Sequence, residues 1–227
     1  MDIRKYSSFA IADYADKEIV IDGKRSPGEW TGTALTMDKS TWVLGDQVLN
    51  GKMFSDENDL SANAWIMYDN EKFYLFVDVK DSVFSQDYKN DAIWNGDSIQ
   101  IGIDDISGSA IYTTEYSEIG CALTSEGIQF YRWKSVDKRD SVVNNTEAVI
   151  KREDGHTYYE MSIPWTELIT KAENITDYYD FGFAMLVNDN DGYGRRGWCE
   201  YTSGIGRGKN TELFGRLILS KPEDINN

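Results

Sequence analysis

The sequence is poor in several residue types, and each scarcity excludes a class of protein. Among its 227 residues are three prolines, two cysteines and one histidine. Two cysteines are too few for a disulfide-dense scaffold, and the spacing of Cys121 and Cys199 matches no metal-binding motif. They form either one disulfide or two buried thiols. No apolar run approaches the roughly 18 residues of a membrane span.

Positive charge is also scarce. The chain has 23 Lys and Arg against 39 Asp and Glu, a net charge of −16. Such a surface repels phosphate backbones, anionic membranes and strongly acidic glycans, so we expect neither a nucleic-acid nor a membrane partner. A neutral glycan is compatible with this charge, and clustered carboxylates leave room for Ca²⁺. The first 18 residues lack the cationic-then-apolar pattern of a signal peptide.

Catalytic patterns are missing as well. The only histidine, His156, falls in a predicted turn, so a Ser-His-Asp triad has only an exposed candidate base. Neither cysteine has a neighbouring histidine to activate it, and the phosphate-binding and dinucleotide-binding glycine motifs are absent. No spacing of acids singles out a glycosidase pair. We therefore expect no catalytic activity.

What the chain does contain is short alternating strands and many aromatic residues, which make up 13% of the sequence. The strand predicted at Lys72–Asp81 has four apolar residues on one face: Phe73, Leu75, Val77 and Val79. In the strand predicted at Asp97–Asp104, the three isoleucines face the core, while Ser98 and Gln100 face the other way. Seven further runs are predicted as strands: Ala62–Tyr68, Ile119–Thr124, Gly127–Trp133, Thr146–Arg152, Thr157–Ile163, Phe181–Asn188 and Leu213–Leu219.

Turns between these runs complete the fold prediction. Tyr68–Lys72 and Arg152–His156 are typical of hairpin turns, and Pro164 begins one short helical turn. The stretch Thr31–Ser61 is the least regular. About ten short strands predict an all-β, antiparallel β-sandwich of the jelly-roll or immunoglobulin-like kind. We expect one domain over residues 1–227, with its core at about 19–219.

Four segments, in this order, resemble the family 9 carbohydrate-binding modules that accompany secreted glycan-degrading enzymes. Each segment matches one part of the family pattern, and together they span nearly the whole chain. They are IVIDG with GEW (Ile19–Gly23, Gly28–Trp30), AWIMYDNEKFYLFVDVKD (Ala64–Asp81), WNGDSIQIGID (Trp94–Asp104), and a C-terminal set of EMSIPW (Glu160–Trp165), FGF (Phe181–Phe183), VNDND (Val187–Asp191), Trp198 and FGRLIL (Phe214–Leu219).

The resemblance implies a non-catalytic module that binds carbohydrate. The third segment contributes Trp94, Asp97, Ser98 and Gln100 to the candidate site, with Trp94 at the family's binding tryptophan and Gln100 at its binding acid. An aromatic ring takes the apolar face of a sugar while polar side chains take its hydroxyls. The alternative is that Trp94 is a packed loop residue and Gln100 is only solvated.

The chain departs from the family pattern in ways that bear on binding. The loop Gly204–Leu213 lacks the family's second sugar-gripping tryptophan, and a family arginine falls near Cys121 or Ala122 and is missing. Trp198 matches a family tryptophan that either packs in the core or faces the ligand. Candidate residues for a remodelled site are Tyr201, Arg207 and Asn210.

Calcium is a second implication of the resemblance, because family members often hold structural Ca²⁺. The run Asn188, Asp189, Asn190 and Asp191 concentrates oxygen ligands of the type that Ca²⁺ prefers, and Glu118 matches an acidic family position. The alternative is an ordinary Asn/Asp/Gly turn.

We therefore expect a monomeric, secreted or cell-surface module that binds a neutral poly- or oligosaccharide such as xylan or cellulose and is covalently joined to catalytic domains. Two alternatives stay open. One is a structural or surface-anchoring module without free-sugar affinity, and the other is a haem-binding electron-transfer sandwich domain, for which a single histidine supplies few axial ligands.

Overall fold

Short runs with a two-residue apolar period place nearly all of the regular structure in strands. The computed structural model describes residues 8–45, 58–105, 116–137, 140–170, 172, 175 and 180–220. Thirteen strands lie within these ranges. They are β1 (Phe9–Tyr14), β2 (Leu35–Met37), β3 (Trp42–Leu44), β4 (Leu60–Tyr68), β5 (Lys72–Asp81), β6 (Ser98–Asp104), β7 (Ser117–Thr124), β8 (Gly127–Lys134), β9 (Glu147–Glu153), β10 (His156–Pro164), β11 (Asp180–Asp189), β12 (Gly197–Glu200) and β13 (Gly215–Leu219).

Short 3₁₀ turns punctuate the strands. The turn predicted after Pro164 is confirmed at Trp165–Glu167, and Asn90–Asn95 forms a longer one just before β6. The predicted hairpin between β9 and β10 is also confirmed, with Asp154 and Gly155 at φ 49° and 80°, the backbone that this tight turn requires. Within the described ranges, no helix has both the length and the apolar character needed to span a membrane.

The thirteen strands form one continuous sheet, and β1 joins its two parts, which we call the first sheet and the second sheet. The first sheet runs β8-β7-β6-β11-β13-β1, with β12 beside β11 and β3 beside β12. The second runs β1-β4-β5-β10-β9, with β2 beside β4. The all-β prediction is confirmed, but the purely antiparallel one is wrong at β1. Residues Phe9–Ala12 pair in parallel with Arg216–Leu219, and Asp13 and Tyr14 pair in parallel with Met67 and Tyr68. These partners are distant in sequence, so no tight hairpin imposes an antiparallel direction on them.

The main core lies between the two sheets. The three isoleucines of β6 and the predicted apolar face of β5 all point into it. The alternation read from both strands is therefore confirmed. Cys121 and Cys199 also lie in this core as free, buried thiols, which resolves the choice left open by the sequence. Burial raises the pKa of both thiols, that of Cys199 to about 12.

The opposite faces of both sheets are also partly covered. Tyr116, Leu186, Trp198, Ile205 and Phe214 belong to a second apolar cluster, on the outer face of the first sheet. A third cluster covers the outer face of the second sheet and includes Ile19, Trp30, Met67, Tyr74 and Phe76. The chain segments that supply these clusters leave a cavity beside each of them, and both cavities are lined by aromatic as well as polar residues.

Candidate functional site

A cavity of about 250 Å³ opens on the outer face of the first sheet. Its volume lies just below the roughly 300–1,000 Å³ of pockets for drug-sized ligands, so it suits one small polar ring better than a long chain. Strands supply its floor, and the segments before β6, after β11 and after β12 supply its sides. The lining residues are Trp94, Gln100, Glu118, Trp133, Arg195, Ile205, Gly206 and Lys209.

Two buried polar side chains, Gln100 and Glu118, line the cavity from the sheet. Gln100 Nε2 donates to Glu118 Oε1 at 3.0 Å. The same carboxylate accepts hydrogen bonds from Tyr116 Oη at 2.8 Å and from Lys209 Nζ at 2.6 Å. Burial, together with the charge of Glu118, raises the pKa of Tyr116, so the phenol stays a donor. A glutamate with no solvent exposure is thus stabilised as a charged acceptor by three donors.

The network continues into Asn188 at the end of β11. Asn188 Nδ2 donates to Ser98 Oγ at 3.0 Å and to Gln100 Oε1 at 2.9 Å, and Asn188 Oδ1 accepts from Arg195 Nη1 at 3.2 Å. Strand register explains the contact, because Asn188 lies opposite Ser98 in the ladder between β11 and β6. Asn188 therefore orients the amide of Gln100.

Aromatic rings form two of the walls. Trp94 is half-buried near the end of the Asn90–Asn95 turn. The guanidinium of Arg195 lies 4.6 Å from the centre of its ring and 4.4 Å from that of Trp198. Trp133 reaches the cavity from β8, and its Nε1 donates to the carbonyl of Asp91 at 2.9 Å. The cavity thus combines apolar ring surface with donors and acceptors, the combination that a polyhydroxylated ring requires.

The loop after β11 sets the position of Arg195. Asn190 Oδ1 accepts hydrogen bonds from three successive backbone amides, those of Gly192, Tyr193 and Gly194, at 2.8–3.0 Å. The backbone amide of Asn190 in turn donates to Asp97 Oδ1 at 2.8 Å. Asp97 is buried, and burial together with nearby carboxylates raises its pKa well above the usual value. It links two loops and does not line the cavity.

The carboxylates proposed as calcium ligands are bound to an arginine. Arg196 donates to Asp189 Oδ2 at 2.7 Å and to Asp59 Oδ2 at 2.5 Å, and it pairs with Asp191 at 2.7 Å. Burial raises the pKa of Asp189 to about 7 against the opposing effect of Arg196. Glu118 lies in the separate network of the cavity floor.

This arrangement does not fit a calcium ion held by the loop. In the part of the chain that the structure describes, no group of three or more His, Cys, Asp or Glu side chains is placed to hold a metal. The guanidinium of Arg196 supplies the positive charge among these aspartates. Calcium binding stays a prediction, and the effect of EDTA on the melting temperature would test it.

The structure brings together three of the residues predicted from sequence, Trp94, Gln100 and Glu118, in the lining of one cavity. The calcium-ligand role predicted for Glu118 stays a prediction. Trp198 is fully buried beneath Arg195, with its Nε1 bonded to Glu200 at 2.7 Å. The remaining candidates lie away from the lining. Tyr201 packs against Phe183, Arg207 donates to the carbonyl of Leu44, and Asn210 caps the turn Thr211–Leu213.

Sequence reasoning missed Trp133, Arg195 and Lys209. One signal for Trp133 was present, because Gly120 interrupts β7 beside an aromatic strand. A Cβ on Gly120 would lie 2.4 Å from the ring of Trp133, so only glycine leaves room for that ring. Nothing comparable indicated Arg195 or Lys209, whose positions depend on loop conformations.

Comparisons with known proteins agree with this picture. A model of the carbohydrate family 9 binding domain-like family matches residues 21–222. A family 9 carbohydrate-binding module from Caldicellulosiruptor kristjanssonii in complex with cellotriose is similar in fold, with a TM-score of 0.67 and 17% identity, covering 95% of each chain. A module of this family from the same organism, in complex with glucose, has a TM-score of 0.63 and 18% identity, covering 96% of this chain and all of the other.

The chain matches no curated protein. At 17–18% identity, the similarity to the solved structures establishes the fold alone. The family model is stronger, because it covers most of the chain and includes every residue that lines the cavity. The chain belongs to the carbohydrate family 9 binding domain-like family, whose members are non-catalytic carbohydrate-binding modules.

Proposed function

We propose that the chain binds one ring of a neutral poly- or oligosaccharide in the cavity beside Trp94. The observation that carries this proposal is the half-buried ring of Trp94 next to the Gln100–Glu118 network in a single cavity. A pyranose presents C–H groups on its faces and hydroxyls around its rim. The ring of Trp94 suits the first, and the polar floor suits the second.

Hydrogen-bonding capacity remains for a ligand. Lys209 Nζ donates to Glu118 and to the carbonyl of Ile205, and an ammonium has a third donor. Gln100 uses one amide hydrogen on Glu118, so its second one is available. The charged pair of Glu118 and Lys209 supplies both an acceptor and a donor, and hydrogen bonds to charged groups are the stronger ones.

Trp133 supplies a second tryptophan ring to the cavity, from a different part of the chain than the family pattern implies. The loop Gly204–Leu213 has no tryptophan and instead brings Gly206 and Lys209 to the cavity. Trp133 adds a second indole from β8. In this proposal Trp94 is the stacking platform, and Trp133 is a side wall that limits the sugars the cavity accepts.

The wider role follows from the family. The proposal is that this module, a monomeric β-sandwich, is secreted or exposed on the cell surface and holds an attached glycan-degrading enzyme against its polysaccharide. Two relatives of similar fold are described with cellotriose and with glucose, which makes a β-glucan the first ligand to try. The two sheets around one core support the description as a sandwich.

The test is calorimetric titration with glucose, cello-oligosaccharides and xylo-oligosaccharides. Trp94→Ala should lower affinity by about five- to thirtyfold, because stacking on an aromatic ring contributes on the order of 1–2 kcal/mol. The matched control is Tyr193→Ala, since Tyr193 is 72% exposed and does not line the cavity. Circular dichroism verifies that both variants fold.

Each outcome has a definite meaning. An equal loss of affinity in Trp94→Ala and Tyr193→Ala would mean that the loop after β11, and not stacking on Trp94, accounts for the loss. Binding that Trp94→Ala leaves unchanged would overturn the proposed site. Absence of binding to every glycan would favour the structural or surface-anchoring alternative.

A further inference from the structure

A second and larger cavity, of about 640 Å³, lies on the outer face of the second sheet. It shares no lining residue with the cavity beside Trp94. Strands β4, β5, β9 and β10 form its floor, and the segment around Gly23 forms one side. It therefore belongs to a different sheet, and the proposed function does not use it.

A buried carboxylate fixes the side wall of this second cavity. Glu160 on β10 has no solvent exposure, although it lies on the outer face of the sheet. Its Oε2 accepts hydrogen bonds from the backbone amides of Asp22 at 2.7 Å and Gly23 at 2.5 Å, and its Oε1 accepts from Trp30 Nε1 at 3.0 Å. Gly23 has φ 77° and packs against the side chain of Val149. The wall is therefore anchored to the sheet by a charged acceptor.

Aromatic rings line the floor of the second cavity. Trp65 and Tyr158 are each half-buried, so part of each ring faces the cavity. Tyr158 stacks on the ring of His156 at 13° between planes, with centroids 5.8 Å apart. His156 Nδ1 lies 2.6 Å from Asp78 Oδ1 and thereby fixes that carboxylate beside Tyr158. Flat rings next to an oriented acceptor again suit a pyranose.

The lining of the second cavity carries more positive than negative side chains, whereas the whole molecule is strongly negative. Lys24, Arg25 and Lys151 line the second cavity together with only two acids, Asp78 and Glu153. The whole chain carries 39 acids against 23 bases. The guanidinium of Arg25 lies 4.2 Å from the centre of the Trp65 ring. Among the described residues Arg25 makes no ion pair or hydrogen bond, so its N–H donors are available to an anion.

We propose that this cavity is a second saccharide site, which takes a sugar unit bearing a carboxylate, that is, a uronic acid. The pyranose packs beside Trp65 and Tyr158, and its carboxylate pairs with Arg25 and Lys151. The hydroxyls donate to Asp78 and Glu153. A polyanionic chain would still be repelled by the net charge of −16, so the fitting ligand is a single uronate carried by a mostly neutral glycan.

The experiment compares methyl β-glucuronide with methyl β-glucoside, using heteronuclear NMR titrations of the whole chain. The glucuronide should shift the resonances of Trp65 and Gly23, and added salt should lower the affinity for the glucuronide. Arg25→Gln should lower glucuronide affinity by up to about fivefold, because an exposed charge pair contributes at most about 1 kcal/mol. Arg25 is exposed, so this variant should fold. Trp65→Leu removes the ring while keeping an apolar side chain.

Controls separate this site from the one beside Trp94. Trp94→Ala should leave the glucuronide shifts unchanged, and Arg25→Gln should leave the binding of neutral glucans unchanged. The inference is overturned by glucuronide binding that neither Arg25→Gln nor Trp65→Leu alters, or by no saturable binding up to about 10 mM. Equal affinity for glucoside and glucuronide would overturn the assignment to an acidic sugar.

Discussion

At the scale of single residues, burial has changed the chemistry of side chains that the sequence presents as ordinary surface acids. Glu118 and Glu160 have no solvent exposure, yet each lies on an outer sheet face beneath a covering segment. Each accepts three or more hydrogen bonds. Glu118 therefore fixes the floor of one cavity, and Glu160 fixes a wall of the other. The alternation of β7 and β10 predicts the faces on which they lie, but not that these faces are covered.

Asp81 provides a prediction at this scale. Burial raises its pKa to about 6, and Asp191 and Asp59 add to this effect, while the Val83 amide and Arg152 oppose it. From about pH 4 to pH 6 the unfolded chain loses this proton before the folded chain does. The free energy of unfolding should therefore fall as the pH rises through that window, by on the order of 2–3 kcal/mol from this group.

Asp81→Asn should remove that part of the slope, since an amide oxygen still accepts the hydrogen bond from Val83 and does not titrate in this range. Urea unfolding at half-unit steps from pH 4 to pH 7 measures how the free energy of unfolding depends on pH. The control is Asp154→Asn, which removes an exposed carboxylate from a turn. An Asp81→Asn variant with the same slope as the unaltered protein would contradict the argument.

At the scale of elements, loops and not strands complete the cavity beside Trp94. The sheet contributes Gln100, Glu118 and Trp133, which strand register holds in place. Arg195 and Lys209 come from the segments after β11 and β12. Asn190 holds the loop between β11 and β12 in shape. Its side-chain oxygen accepts hydrogen bonds from three backbone amides of the loop.

Asn190→Ala should therefore destabilise the protein by about 1–3 kcal/mol, because it leaves backbone donors of this loop without an acceptor. It should also weaken neutral-sugar binding, since Arg195 would no longer be held over Trp94. Denaturant unfolding and calorimetric titration measure the two effects. Asn70→Ala, in the exposed turn between β4 and β5, is the matched control and should alter neither quantity. Unchanged sugar affinity in a destabilised Asn190→Ala protein would separate the loop from the site.

At the scale of the whole molecule, β1 joins the two sheets, and one core lies between them. Its residues come from nearly the full length of the chain, from Ala10 on β1 to Leu219 on β13. Local opening should therefore expose little of this core. The two thiols, Cys121 on β7 and Cys199 on β12, are buried in it and report on such opening.

We expect neither thiol to react with a disulfide reagent in the folded protein on the timescale of minutes, because both are buried and their raised pKa values disfavour the thiolate. Both should react once denaturant unfolds the chain. The melting temperature should be the same with and without reductant. Rapid labelling of one thiol under native conditions would show that its strand opens separately from the core.

The sequence by itself determined the strands and the family. Two-residue periodicity located nine of the strands to within a few residues, because alternate burial is a local property of the chain. It missed β1, β2, β3 and β12, which are short or depend on distant partners. The same local pattern predicts that Trp94 and Gln100 lie near each other. They are only six positions apart, with Trp94 just before β6 and Gln100 on its outward face.

Only the tertiary structure decided how the polar residues are used. Asp189 and Asp191 are predicted from the sequence as calcium ligands, and in the folded chain both pair with Arg196. This pairing depends on how the loop after β11 folds back, which the sequence does not show. Trp133 and Lys209, far from Trp94 in sequence, reach its cavity because β8 and the segment after β12 converge there. Lys24 and Arg25 lie beside Lys151 of β9 because Glu160 bonds the segment around Gly23 to β10. Contacts between distant segments depend on the packing of the whole chain, which local periodicity does not encode.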